Sequence, residues 1–144
     1  MHDIPIKNVM ALPVVTVSVS DSLRKVEEKF RQKGIRHLPV VDEQKRVVGL
    51  ITQRDLYRIA TPRLNEDGYC YDPDMLDGFI LSRVMRENPL TMRPEDFLSK
   101  AVHYMAANKY GCIPIVDAER RIAGIITETD ILKFAAKTFF NYPS

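Results

Sequence analysis

The stretch Pro39-Val-Val-Asp-Glu-Gln-Lys-Arg-Val-Val-Gly-Leu-Ile-Thr-Gln-Arg-Asp55 is written twice in this chain. At a shift of 75 positions, Pro114-Ile-Val-Asp-Ala-Glu-Arg-Arg-Ile-Ala-Gly-Ile-Ile-Thr-Glu-Thr-Asp130 follows it without a gap, with eight of the seventeen positions identical. Most of the other positions exchange one aliphatic or basic residue for another. The copies keep a hydrophobic frame, one glycine, and a Thr-x-x-Asp ending. An internal repeat constrains the fold before any single element does.

Working outward from the repeat, each copy reads as β-α-β-β-α. In the first, Val14 to Val19 alternates as an extended piece, and Ser20 and Asp21 offer capping oxygens to a helix. Leu23, Val26 and Phe30 share one face of that helix, which Gly34 stops. His37 to Val41 and Arg46 to Ile51 read as strands around the polar turn Asp42 to Lys45. Thr52 opens a second helix that runs to about Ile59. In the second copy, Leu90 to Met92 is extended and Asp96 to Asn108 is helical, with Leu98, Ala101, Val102 and Met105 inward. Cys112 to Val116 and Arg121 to Ile126 are strands, and a helix from Thr127 runs towards Lys137. Val84-Met85 echoes Val9-Met10 at the same shift. The expected division is repeat 1 over 1–60, an insert rich in Pro, Gly and Asp over 61–82, and repeat 2 over 83–144. The fold class is α/β (α+β), with two small units paired about a pseudo-twofold axis, because one such unit cannot cover its own sheet.

Composition narrows the function. The 144 residues carry 21 basic and 19 acidic side chains, and this near balance gives no electrostatic footprint for nucleic acid. No apolar run is long enough to span a membrane, and the N-terminus lacks the form of a signal peptide. Cys70 and Cys112 stand far apart, which suits two thiols in a reducing cytoplasm. No phosphate-binding glycine loop, nucleophile elbow or zinc-protease motif occurs, so an enzyme is not expected. The acidic insert residues Glu66, Asp67, Asp72, Asp74 and Asp77 miss the calcium-loop spacing and read as a solvated loop. Tyr69 and Tyr71 suit a cleft mouth or a dimer contact. The C-terminal aromatics Phe134, Phe139, Phe140 and Tyr142 suit docking, onto the module or onto another subunit.

The paired Thr52/Asp55 and Thr127/Asp130 open two readings. Thr-x-x-Asp before an apolar run is a capping box. The same groups at a helix start can also hold a nucleotide. A carboxylate accepts both hydroxyls of a ribose cis-diol, a threonine hydroxyl can donate, and the helix end favours an anion. Gly49 and Gly124 fit either close ligand approach or tight sheet packing.

The repeat resembles the CBS domain, the module named after cystathionine β-synthase. The likeness rests on Val-Met before an extended Thr-containing strand, on Arg36-His37-Leu38-Pro39-Val40-Val41-Asp42, and on Gly49-Leu50-Ile51-Thr52-Gln53-Arg54-Asp55. The second copy supplies Cys112-Ile113-Pro114-Ile115-Val116-Asp117 and Gly124-Ile125-Ile126-Thr127-Glu128-Thr129-Asp130. The resemblance covers about Val9 to Lys137 apart from the insert. It implies a regulatory tandem pair that binds AMP, ADP, ATP, S-adenosylmethionine or an NAD-type molecule in clefts between the repeats. It further implies a homodimer and a regulated partner protein, with no catalytic cofactor. The resemblance places the ligand edge at Thr16 and Val17 and at Thr91 and Met92. Around Arg36, His37, Leu38, Pro39, Thr52, Arg54 and Asp55 it places one half-site. Tyr110, Gly111, Ile113, Pro114, Thr127 and Asp130 make the other, and Val15, Ile35 and Leu90 help form an apolar slot for adenine. The first copy carries Arg36, His37 and Arg54 where the second has Gly111, Cys112 and Thr129, so the first is expected to hold the better anion site. The alternative is a structural dimerisation module that binds nothing.

Overall fold

The computed structural model describes residues 3–143. The elements run β1 (Val17–Ser18), α1 (Leu23–Lys33), β2 (His37–Val41), β3 (Val47–Thr52) and α2 (Gln53–Ile59). The insert follows as a hairpin β4 (Arg63–Asn65) and β5 (Gly68–Cys70), a short α3 (Pro73–Asp77) and the start of α4 (Leu81–Val84). The second repeat continues with β6 (Arg86–Glu87), α5 (Leu98–Asn108), β7 (Cys112–Val116), β8 (Ile122–Thr127) and α6 (Glu128–Phe140). The chain divides into two compact units that do not coincide with its two repeats. One holds Val15–Glu43 and Val48–Asn88; the other holds the segment up to Val14, Gln44–Val47 and everything from Pro89 onward.

In the unit containing Val15, β1 pairs parallel to β2 through Val17 and Val40, and β3 pairs antiparallel to β6 through Gly49–Glu87 and Leu50–Arg86. The strand order is β1-β2-β3-β6. Its core is Val17, Leu38, Val40 and Ile51 from the strands, Leu23, Val26 and Phe30 from α1, and Leu56 from α2. Leu76 of α3 and Leu81 of α4 join the same core, so the insert is a folded part of this unit and not a loop. Arg24 of α1 holds α3 through both oxygens of Asp77 and lies 3.7 Å from Asp74. Asp72 caps α3 by accepting from the Asp74 N–H at 3.0 Å. Asp72, Asp74 and Asp77 of the insert are thus taken up by a helix cap and an arginine. Tyr71 stacks on Tyr57 of α2, with ring centroids 6.1 Å apart.

The other unit repeats this plan at the same shift of 75. β7 and β8 pair antiparallel from Cys112–Thr127 to Val116–Ile122. Met92 bridges Ile115 in parallel, and Ala11 bridges Ile125 antiparallel, matching Val17–Val40 and Arg86–Leu50. Ile6, Met92, Leu98, Ala101, Met105, Ile113, Ile115 and Ile126 form its core. The Val-Met that opens each repeat is therefore built into the unit holding the other repeat's β-hairpin. Met85 lies against Gly49 and Met10 against Gly124, each where a Cβ would stand. Tight packing is the reason for both glycines.

Some local expectations change. Ser22, not Ser20 or Asp21, caps α1, while Asp21 accepts from the Ser18 N–H at 2.9 Å. The α5 helix starts at Leu98 instead of Asp96, because the Asp96 carboxylate turns back to the Arg93 N–H at 2.8 Å. The Leu98 N–H is then capped by the Ile4 carbonyl at 2.7 Å. Val102, expected inward, is exposed. It follows Ala101 on the helix, and neighbouring positions point to different faces. The stretch Leu90 to Met92 makes only the single bridge through Met92. The last helix passes Lys137 to end at Phe140, with Asn141 in the left-handed conformation at φ 58°.

Candidate functional site

Both Thr-x-x-Asp motifs form complete capping boxes. Each threonine ends its strand in extended conformation and becomes the first residue of the helix cap, which is why the motif follows the apolar run directly. In the first, the Thr52 N–H donates to Asp55 Oδ2 at 2.8 Å and the Thr52 hydroxyl donates to the same oxygen at 3.0 Å. The Asp55 N–H returns a bond to Thr52 Oγ1 at 3.3 Å. In the second, the corresponding distances for Thr127 and Asp130 are 2.8, 2.9 and 3.3 Å. Each threonine proton is thus held inside the box, and the second carboxylate oxygen, Oδ1, takes no part in it.

The two boxes differ at that outer oxygen. Asp55 is 3% exposed, and its Oδ1 lies 3.5 Å from the Arg58 guanidinium. Asp130 is half-buried, and its Oδ1 has no hydrogen-bond partner among the described residues. A carboxylate oxygen with both lone pairs open can accept two hydroxyls.

The helix starts offer less than an open N-terminus would. The Gln53 N–H is taken by the Arg36 carbonyl at 3.0 Å and the Glu128 N–H by the Gly111 carbonyl at 3.2 Å. With the capping-box bonds, one backbone donor per helix remains without a partner among the described residues: the N–H of Arg54 and that of Thr129. Arg36 and Gly111 therefore fix the helix position through their backbones, at the place where the two copies differ most in side chain.

The remaining candidates fall into two groups. Val17, Leu38, Met92 and Ile113 put their side chains into the core of their own unit, and Pro39 and Pro114 are buried in the strands. These can meet a ligand only through the backbone. Thr16, His37 and Gly111 are half-buried, Arg36 and Arg54 are exposed, and Tyr110 packs at the edge of its core. Thr16 is tied in place by Lys29, whose ammonium donates to its carbonyl. Thr91 accepts from the Arg120 guanidinium at 3.2 Å. Lys29 and Arg120 are absent from the sequence-based candidates. Arg120 carried a signal, since the repeat aligns it with Lys45.

Comparison with known proteins gives the arrangement a family. The CBS domain model matches residues 6–61 and 81–137. A CBS domain-containing protein of Dictyostelium discoideum is 29% identical over 143 residues, covering 96% of this chain and 95% of that protein. Homoserine O-acetyltransferase of Methanosalsum zhilinae is 27% identical over 133 residues, but the match spans only 24% of the enzyme. Among solved structures, CBSX2 of Arabidopsis thaliana superposes with a TM-score of 0.80 at 23% identity, covering 96% of this chain and 98% of that one. CBSX2 has also been solved in complex with AMP. The CBS domain pair of protein MJ0100, in complex with 5'-methylthioadenosine and S-adenosyl-L-methionine, superposes with a TM-score of 0.77 at 24% identity, covering 95% of this chain and all of that one. A family model over most of the chain, matched once per repeat, makes this chain a member of the CBS domain family, built as a tandem pair.

Proposed function

We propose that this tandem pair is a regulatory module that binds an adenosine-containing ligand at its two Thr-x-x-Asp half-sites and passes their occupancy to a partner protein. The single observation that carries the proposal is the pair of matching capping boxes, each leaving one carboxylate oxygen outside the box beside a helix start. The ligands bound by CBSX2 and by the MJ0100 pair support the ligand class. Asp55 and Asp130 accept the ribose hydroxyls, and the free N–H groups of Arg54 and Thr129 meet an oxygen of the ligand. The threonines act indirectly, by fixing the carboxylates. Arg36, His37 and Arg54 supply positive charge at the first half-site. No residue set proposes catalysis, and regulation follows from unequal affinity for two conformations. Titration calorimetry with AMP, ADP, ATP, S-adenosylmethionine and NADH tests the proposal. Micromolar binding of at least one of them is expected, and heat from none would refute it.

A second reading has its own observation. Each threonine hydroxyl is spent inside its box and Asp55 is almost fully buried, as a purely structural motif requires. On that reading the module dimerises without a ligand and shows no thermal shift with any nucleotide. Dimerisation itself is supported by α6, where Leu132 is 69% and Phe140 67% exposed on one helix face.

A further inference from the structure

The half-site of the second repeat has a further cation, at the turn position that the repeat aligns with Lys45. Arg120 closes the turn between β7 and β8 with φ 66°, a left-handed conformation that hairpins of this kind usually give to glycine. Its side chain turns back and is held at three points. Nε donates to the Val47 carbonyl at 3.0 Å, Nη1 to Thr91 Oγ1 at 3.2 Å, and Nη2 to the Pro89 carbonyl at 3.4 Å. All three acceptors are neutral. No carboxylate lies within ion-pair distance of Arg120 among the described residues, and the acids of the same turn are engaged by its neighbour. Arg121 reaches Asp117 at 2.9 Å and Glu119 at 3.4 Å. Arg120 is thus a half-buried, immobilised guanidinium without a counter-ion.

We propose that Arg120 and the Thr91 hydroxyl form an anion-binding pair that receives a phosphoryl group of the ligand at the second half-site. This rests on the nucleotide reading above and names the charge that the ligand must carry there. A guanidinium has five donors, three of which are used, leaving two. Thr91 accepts from Arg120, so its own hydroxyl proton is left to donate. The side chain is already ordered, and a bound phosphate would replace water with charge-assisted hydrogen bonds. The position is also suitable. Met92, next to Thr91, pairs with Ile115, while Thr127 pairs with Cys112. Three residues along β7 separate the two points by roughly 10 Å. The anion pair and the Thr127–Asp130 box therefore stand about the length of a nucleotide apart along β7.

The first repeat lacks this device. Lys45 occupies the matching turn position with the same φ of 66°, but it is exposed. Thr16, the counterpart of Thr91, is held through its carbonyl by Lys29. The second half-site, with Gly111, Cys112 and Thr129 where the first has Arg36, His37 and Arg54, thereby has a phosphate anchor of its own and selects phosphorylated adenosines over neutral or cationic ones.

The test is calorimetric titration of the full chain, as wild type and R120Q, with adenosine, AMP and inorganic pyrophosphate. The expected result is that R120Q weakens AMP about tenfold and leaves adenosine unchanged, as loss of a charged hydrogen bond requires. An unchanged AMP-to-adenosine ratio in R120Q, with only a lower melting temperature, would overturn the proposal and make Arg120 a turn clamp. If the wild type binds neither adenosine nor AMP, the nucleotide reading fails, and pyrophosphate decides the anion pair by itself. Binding that is lost in R120Q upholds the pair, and absence of binding by the wild type removes it. Should R120Q not fold, T91V takes its place, with the same selective loss of AMP expected and equal loss of both ligands contradicting it.

Discussion

At the residue scale, the Thr-x-x-Asp motif serves the scaffold first. The threonine hydroxyl and two backbone N–H groups are satisfied within each box, and only the second carboxylate oxygen lies outside it. T52A and T127A should each lower stability by about 0.5–2 kcal/mol in urea unfolding, the usual cost of losing a cap. A change near zero in both would show that the boxes are incidental. The glycines shared by the two copies make a separate prediction. In G49A the new Cβ must displace the Met85 thioether, so a loss of about 1–3 kcal/mol is expected. Combining G49A with M85A should recover part of it, and strict additivity would contradict the contact. The motifs were legible in the sequence because they recur at one spacing. The partners of Gly49 and Gly124 were not, because Met85 and Met10 come from the other repeat.

At the scale of elements, hydrophobic periodicity located every major helix and strand, and side-chain competition decided their ends. Asp96 looked like part of α5 but its carboxylate prefers a local turn, and Val102 looked apolar enough to be buried but points to solvent. The insert was the least legible part, since its composition is that of a loop while Leu76 and Leu81 belong to a core. Its attachment is partly electrostatic. The hydrogen bond from Arg24 holds the Asp77 carboxyl below its usual pKa, against the opposing effect of desolvation. A carboxyl with a depressed folded-state pKa adds stability above its unfolded value and loses it as pH falls through the folded one. The melting temperature of the wild type should therefore exceed that of D77N at pH 6, and the gap should narrow progressively as pH falls below about 4. Both side chains are half exposed, so the gap is expected to be small and to shrink in high salt. A gap that persists unchanged at pH 3 would contradict the assignment.

At the scale of the whole molecule, two features remain to be joined to function: an exposed apolar face and a pair of unequal half-sites. No residue of α6 is fully buried, yet Leu132, Ala136 and Phe140 stand in one i, i+4, i+8 row along it. If this row mediates self-association, F140D should lower the sedimentation coefficient relative to the wild type, and an unchanged value would exclude the row. The two proposed half-sites differ in a way that single residues announced only in part. Sequence comparison located the cationic residues of the first copy, whereas Arg120 required the folded turn to bring it back to Thr91. The central claim is that Asp55 and Asp130 hold the ribose of an adenosine ligand. Calorimetric titration of AMP into the wild type, D55N and D130N tests it most directly, because asparagine keeps an acceptor for the capping box while removing the charge. Each substitution should weaken AMP about tenfold or more, the scale of a charged hydrogen bond. Wild-type affinity in both variants would contradict the account.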